Sequence, residues 1–387
     1  MRCSARSQEG IRRSLRGVMG RWAFCSLLTV VIACGSGRFL TAQSRSTSET
    51  LREAAQKHDL LMGAAADSHS LVEPLYASTL ATEYSQLEPE NEMKFGPIHP
   101  QPNTYNFAGP DALVAFARAH SMKVRGHNLV WHEQLPGWLY SNPVPWTPAG
   151  LNKVLENHIA TVVGHFKGEV YAWDVVNEPF NDDGTIRSTI WYDKPGIGFA
   201  GQGTKTIEQA LRWAHAADPN AKLFVNEYGA DQISSRKSDA LYAMARDFKK
   251  RGVPLSGIGF EMHTSTGFDR PDSLNSLKEN LRRFAALGLE VQFTEVDVQL
   301  RDGSAVSLKA EADTYRDLLS ICLRQPACTA FQTWGFTDKH SWIPHEYHGY
   351  GWALPFDQNY KPKPAFYAML KELESRGNTG PRPSQSR

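Results

Sequence analysis

Residues 171–180 read YAWDVVNEPF. Trp173 to Val176 has the apolar, β-branched content of a short buried strand. It runs into Asn177 and Glu178 and is stopped by Pro179, which has no N–H to continue a sheet. A buried strand that finishes on a carboxylate marks that end as a working surface. In barrels of parallel strands the C-terminal end is where chemistry sits. Residues 290–300, EVQFTEVDVQL, answer it, because Glu295 likewise ends a β-rich run. Two glutamates at the ends of two strands are what glycosidic bond hydrolysis requires. One protonates the leaving oxygen, and the other attacks the anomeric carbon or activates a water.

Outward from this strand the chain alternates. The spacing of apolar residues predicts strands over 60–64, 84–87, 124–130, 173–176, 222–226, 256–260, 289–294 and 329–334. Helices are expected over 50–58, 71–82, 110–120, 147–166, 202–217, 237–251, 272–286, 307–323 and 364–373. Thr147-Pro148 opens the longest early helix, since Thr caps and Pro suits the first turn. Residues 88–100, EPENEMKFGPIHP, read as a polar loop. Eight strands alternating with helices place the chain in the α/β class, as a single (β/α)8 TIM barrel over residues 43–375. An open doubly wound sheet is disfavoured, because no Gly-rich phosphate loop follows the first strand.

Polar and aromatic residues gather after these strands: Glu90, Asn91 and Lys94; His127, Trp131, His132 and Gln134; Asn177 and Glu178. Further along come Asn226, Glu227 and Tyr228; Glu261 and His263; Glu295 and Asp297; and Trp334 with Trp342 beyond it. Taken singly, each has a structural reading as a buried histidine, a helix cap or an ion pair. Taken as a ring at seven strand ends, they surround a hydroxyl-rich ligand with donors, acceptors and flat faces. No HxH or HExxH pattern occurs, so neither metal nor cofactor is expected.

The charge balance is even, with 42 Lys+Arg against 41 Asp+Glu in 387 residues. That argues against a nucleic-acid partner, which calls for a basic excess. The N-terminus is basic, with Arg2, Arg6, Arg12, Arg13, Arg16 and Arg21, and leads into an apolar stretch, residues 22–34. This is short for a membrane span and suited to a signal segment, so residues 1–42 are expected to direct export. Cleavage after Ala42 gives a secreted enzyme. Alternatively VIAC, ending at Cys34, resembles a lipobox and makes Cys34 a lipid anchor, the one expected membrane attachment. Cys322 and Cys328 stand six apart and can close a small disulfide loop in an oxidising compartment, or remain two thiols. Residues 376–387 read as a polar, disordered tail.

The stretches PENEMKF, RGHNLVWHEQLPGW, WDVVNEP, TEVDV, TWGFTDKHSWIP and FDQNYKPKPAFYAM occur in that order. Together they resemble the motif series of glycoside hydrolase family 10, the retaining endo-β-1,4-xylanases. The resemblance implies a double-displacement mechanism on xylan and xylo-oligosaccharides, with Glu178 as acid/base and Glu295 as nucleophile. It further implies that Glu90, Asn91, Lys94, His127, Trp131 and Gln134 hold the glycone sugars, and that Trp334 and Trp342 wall the reactive subsite. Asn177 is then expected on the sugar 2-hydroxyl, and the charge of Glu295 is expected to raise the pKa of Glu178. Asp297, two residues beyond Glu295, shares its face on an extended strand and is placed to orient His263, which would fix Glu295. The chain departs from the pattern at Glu261, where the family usually has Gln, at Phe95, and around Tyr228. A monomer is expected. Alternatives are the same machinery on β-1,4-glucan, a transglycosylase, or a non-catalytic sugar-binding barrel.

Overall fold

The structure is a computed structural model that describes residues 49–376, apart from 142 and 269. The expected export segment 1–42, with Cys34, lies outside the described residues. So does the expected tail, except for Arg376, which belongs to the last helix, Pro364–Arg376.

Nine strands occur among the described residues: β1 (Leu61–Ala66), β2 (Gln86–Pro89), β3 (Lys123–Val130), β4 (Val170–Asn177), β5 (Lys222–Glu227), β6 (Gly257–Phe260), β7 (His263–Ser265), β8 (Glu290–Gln299) and β9 (Cys328–Thr333). All pair in parallel. The order β1–β2–β3–β4–β5–β6–β8–β9 closes back on β1, forming an eight-stranded barrel inside a ring of helices. The short β7 rides on the end of β8, with His263 opposite Asp297.

The helices form where local chemistry directs them. In Pro148–His165, the Thr147 hydroxyl accepts from Gly150 N, and Pro148 fills a first-turn position whose N–H has no partner in any helix. Leu151, Leu155, Ile159 and Val162, spaced three or four apart, then face the barrel and are wholly buried. Each such side chain contributes roughly 1.5–3 kcal/mol relative to exposure.

Three expectations are corrected. The helix expected over 71–82 is broken by Pro74 into a 3-10 turn, Ser68–Val72, and a helix, Pro74–Glu83. The second strand lies two residues later than expected, so Glu88 belongs to β2 and not to a loop; the following loop also contains a short turn of helix, Phe95–Ile98. Glu295 does not end its strand: β8 runs on to Gln299 because β7 gives its last residues a partner.

The barrel interior is polar where such barrels usually carry branched aliphatics. Gln86, Glu88, Arg125, Asp174, Gln292 and Gln332 are all fully buried. Arg125 forks onto both oxygens of Asp174, and its Nη1 donates to Gln292 Oε1 at 2.6 Å. Gln86 Nε2 donates to Gln332 Oε1 at 2.5 Å, and Gln332 Nε2 donates to Glu88 and to Thr294 O. Partnered in this way, most of these polar atoms avoid the cost of unpaired burial, and the network forms a floor beneath the C-terminal ends of the strands.

Candidate active site

Glu178 is the first residue after β4 and lies in the left-handed region, at φ +52°. A glutamate is held there only where its surroundings over-determine the turn. Its N–H donates to Asn226 O at 2.9 Å, tying it to β5. Burial raises its pKa to about 7; the Trp131 indole N–H pulls the other way, and the charge of Glu295 adds to the rise. The expectation named only Glu295, whereas desolvation is the larger cause.

Glu295 sits where β8 slips register against β9, between Phe293 and Val296. Such irregularities re-aim side chains beside functional sites. Its carboxyl is buried, which works most strongly against ionisation, yet the hydrogen bond from His263 together with the charges around it outweighs this and holds its pKa below the usual range. His263 Nε2 lies 3.1 Å from Glu295 Oε2, and Nδ1 lies 2.8 Å from Asp297 Oδ2. Burial opposes a charge on His263, but the two carboxylates outweigh it and raise the ring to about 10. His263 is therefore an imidazolium at neutral pH, donating from both nitrogens. Trp342 Nε1 donates to the same Asp297 oxygen at 2.8 Å, which joins the loop beyond β9 to this triad.

An amide chain links the two glutamates. Asn177 Nδ2 donates to Glu178 Oε1 at 3.2 Å, and Asn226 Nδ2 donates to Asn177 Oδ1 at 2.9 Å and to Glu295 Oε1 at 2.7 Å. Thr294 Oγ1 orients Asn226 by donating to its Oδ1 at 2.8 Å. Gly259 leaves room for that amide, since a Cβ there would stand 2.0 Å from Asn226 Oδ1. Glu261 Oε1 accepts from the same Asn226 Nδ2 at 3.2 Å. Glu261, His263 and Glu295 bring ligand atoms within 4.8 Å of one another. Glu261 is buried, and burial first, then the charges of Glu295 and Glu178, push its pKa well above the carboxylate range.

Nearby, Asn91 Oδ1 accepts from Lys94 Nζ at 3.0 Å and from Gln134 Nε2 at 3.1 Å. Lys94 Nζ lies 4.9 Å from the centre of the Trp131 ring and 5.5 Å from that of Trp334. Burial raises Glu90 to about 7, opposed by Lys94. His127 packs edge-on to Trp334, and its Nδ1 lies 3.1 Å from Asp174 Oδ2. Tyr228 stands apart from these groups, with the Lys237 ammonium 3.3 Å from its ring centre and Arg187 at its hydroxyl. Cys322 and Cys328 form a disulfide at the N-terminal end of β9, away from the site.

Apart from Tyr228, most of the sequence-predicted residues thus fall into two sets that meet where Trp334 lies edge-on to both His127 and His263. Asn177, Glu178, Glu261, His263, Glu295, Asp297 and Trp342 form one, and Asn91, Lys94, His127, Trp131, Gln134 and Trp334 the other. Sequence reasoning missed Arg125 and Asp174 beneath His127, Glu88 in β2, Arg187 beside Glu178, and Tyr347, whose half-exposed ring packs edge-on to Trp342 at 5.6 Å. The one available signal was a charge inside an otherwise apolar strand, which singles out Asp174.

The Glycosyl hydrolase family 10 profile matches residues 50–372. The chain belongs to glycosyl hydrolase family 10. Within it, the chain is 42% identical over 356 residues to endo-1,4-β-xylanase B of Thermotoga neapolitana, covering 91% of this chain and 97% of that protein. The crystal structure of native xylanase 10B from Thermotoga maritima superposes with a TM-score of 0.80 at 44% identity, over 85% of this chain and 99% of the other. Xylanase 10B from Thermotoga petrophila RKU-1, in complex with xylobiose, gives 0.79 at 43% identity, over 85% and 98%. The family 10 barrel and the polar ring at its C-terminal face therefore occur together in this chain.

Proposed function

We propose that the protein is an endo-1,4-β-xylanase that cleaves xylan with retention of configuration. The observation that carries this reading is the amide chain that ties two carboxyls together, Glu178 through Asn177 and Glu295 through Asn226, and their opposed tuning agrees with it. Glu178 is pushed up to about 7, and Glu295 is held low by His263. Glu178 then keeps the proton that the leaving oxygen needs, and Glu295 keeps the lone pair that attacks the anomeric carbon.

In the first step Glu295 bonds to that carbon as the bond to the aglycone oxygen breaks, and that oxygen takes the proton of Glu178. In the second step Glu178, now ionised, takes a proton from water as the water oxygen attacks the same carbon, and Glu295 leaves as carboxylate. Asn177, fixed by Asn226, faces the sugar 2-hydroxyl. Asp297 orients His263, and His263 stabilises the charge of Glu295 before the first step and as it returns in the second. Asn91, Lys94, Gln134, His127 and Glu90 hold the glycone, Trp131 and Trp334 supply flat faces, and Trp342 walls the reactive subsite. Xylo-oligosaccharide recognition is supported by the similarity to a xylanase seen with xylobiose. Export is supported by the basic and apolar N-terminal stretch and by the disulfide.

Proton NMR of the enzyme acting on xylopentaose, with cellopentaose alongside, tests the reading. The expected result is early release of the β-anomer from the xylo-substrate and slow or no cleavage of the cello-substrate. Early α-anomer would mean inversion and a wrong role for Glu295.

A further inference from the structure

Arg187 has no part in the chemistry above, yet it reaches the backbone of the acid/base. It lies on the return arm of a small hairpin in which Phe180 and Ile186 bridge antiparallel. The turn is closed by Asn181 N donating to Thr185 O at 2.8 Å and Gly184 N donating to Asn181 O at 2.9 Å. From there Arg187 serves three successive carbonyls. Its Nε donates to Glu178 O at 3.0 Å, its backbone N–H to Pro179 O at 2.8 Å, and its Nη2 to Phe180 O at 3.1 Å. Nη2 also lies 3.2 Å from the Tyr228 hydroxyl.

The donors of the same turn are taken from the opposite side. Glu178 N donates to Asn226 O, and Phe180 N donates to the Glu227 carboxyl at 3.1 Å, which Lys237 Nζ in turn approaches at 3.2 Å. Every backbone N–H and C=O of residues 178–180 thus has a partner, the proline nitrogen having none to offer. A glutamate at φ +52° persists only under such support. The guanidinium suits the task because its donors are fixed in a planar fork that reaches two carbonyls and a hydroxyl at once, whereas a lysine ammonium is a single point.

We propose that Arg187 is a positioning residue for the acid/base: it locks the left-handed turn that aims the Glu178 carboxyl at the leaving oxygen, and ties that turn to Tyr228. The proposal rests on the assignment of Glu178 as acid/base.

The test compares two substrates that differ in their need for a proton. Xylotetraose has a sugar alcohol as leaving group and needs acid assistance; 2,4-dinitrophenyl β-xylobioside does not. In Arg187→Met, kcat/KM for xylotetraose is expected to fall roughly 10²-fold, the scale of a misplaced catalytic group, and that for the aryl substrate less than about threefold. Guanidinium added to Arg187→Ala is expected to restore part of the loss on xylotetraose. Equal losses on both substrates, or no loss on either, would overturn the proposal. Arg187→Lys, which keeps the charge and the stem, is read by the same ratio and decides the matter if the other variants do not fold. Glu178→Ala on the same pair is the control for the underlying assignment. If it loses both substrates equally, the role of Glu178 fails, whatever Arg187 does.

Discussion

His263 Nε2 stands 3.1 Å from Glu295 Oε2, and the ring is turned that way because its other nitrogen is held by Asp297. The carboxylate of Asp297 stabilises the imidazolium, and the imidazolium stabilises the ionised form of Glu295. Glu295 must be ionised to attack. Replacing His263 by Asn removes a charged donor from a buried site, so kcat/KM on xylan is expected to drop by roughly 10²-fold. The acid limb of the pH profile is expected to move to higher pH, because the influence that kept the Glu295 pKa low is gone. A profile of kcat/KM against pH checks both; an unmoved acid limb would leave His263 a merely structural contact.

Glu178 must carry a proton when the substrate binds. With its pKa raised to about 7 by burial and by Glu295, kcat/KM should decline above about pH 7. Glu178→Gln is expected to lose at least roughly 10²-fold and the alkaline limb on xylan, while keeping most of its kcat/KM on aryl xylobiosides whose leaving groups need no acid. Steady-state kinetics from pH 4 to pH 9 on both substrates provide the check. An alkaline limb that survives in the variant would assign the titration to another group.

The disulfide between Cys322 and Cys328 spans a sequence separation of six, from the last helical turn before β9 to its first residue. Loop-closure entropy for so short a loop corresponds to about 2 kcal/mol of stability. Cys328→Ser in a Cys322→Ser background is expected to lower Tm without changing the pH profile, since the site lies at the other end of the strands. Thermal unfolding with and without reductant measures this, and identical melting would show that the bond does not staple the barrel.

The fold was legible because each helix and strand repeats a simple period, and Thr147-Pro148 or Pro364 marks where helices start. Glu178 was legible because a carboxylate at the end of a β-rich run is costly without a purpose, and Glu295 because a carboxylate in a buried run is costly too, although its strand continues past it. What stayed hidden depends on which face of a strand points into the barrel. Glu88 sits in β2 only because the strand starts two residues later than its apolar pattern indicates, and its partners Gln332 and Arg125 come from distant strands. Arg187 lies in a loop of turn-forming residues, and nothing local shows that the hairpin folds its guanidinium back onto Glu178. The leading role of burial in tuning Glu178 is likewise a property of the assembled cleft, not of the residues beside it in sequence.

Glu261 offers a separate test of buried charge. Its carboxyl is enclosed, shares the Asn226 amide with Glu295, and has a pKa well above that of an exposed glutamate, chiefly through burial and then through Glu295. A folded-state pKa above the unfolded value gives stability that is complete below about pH 4.3 and declines as pH rises toward the folded value. Glu261→Gln keeps the shape and an N–H donor but has no proton to lose. Its Tm is therefore expected to match the parent near pH 4 and to exceed it progressively between pH 5 and pH 8. Turnover at the optimum should stay within about threefold, because Glu261 bonds neither to the attacking oxygen nor to the acid. Melting curves across that pH range decide the point. A Tm difference that is flat with pH would mean that Glu261 is ionised in the folded enzyme at all these values, and that Asn226 and His263 suffice to hold two adjacent carboxylates.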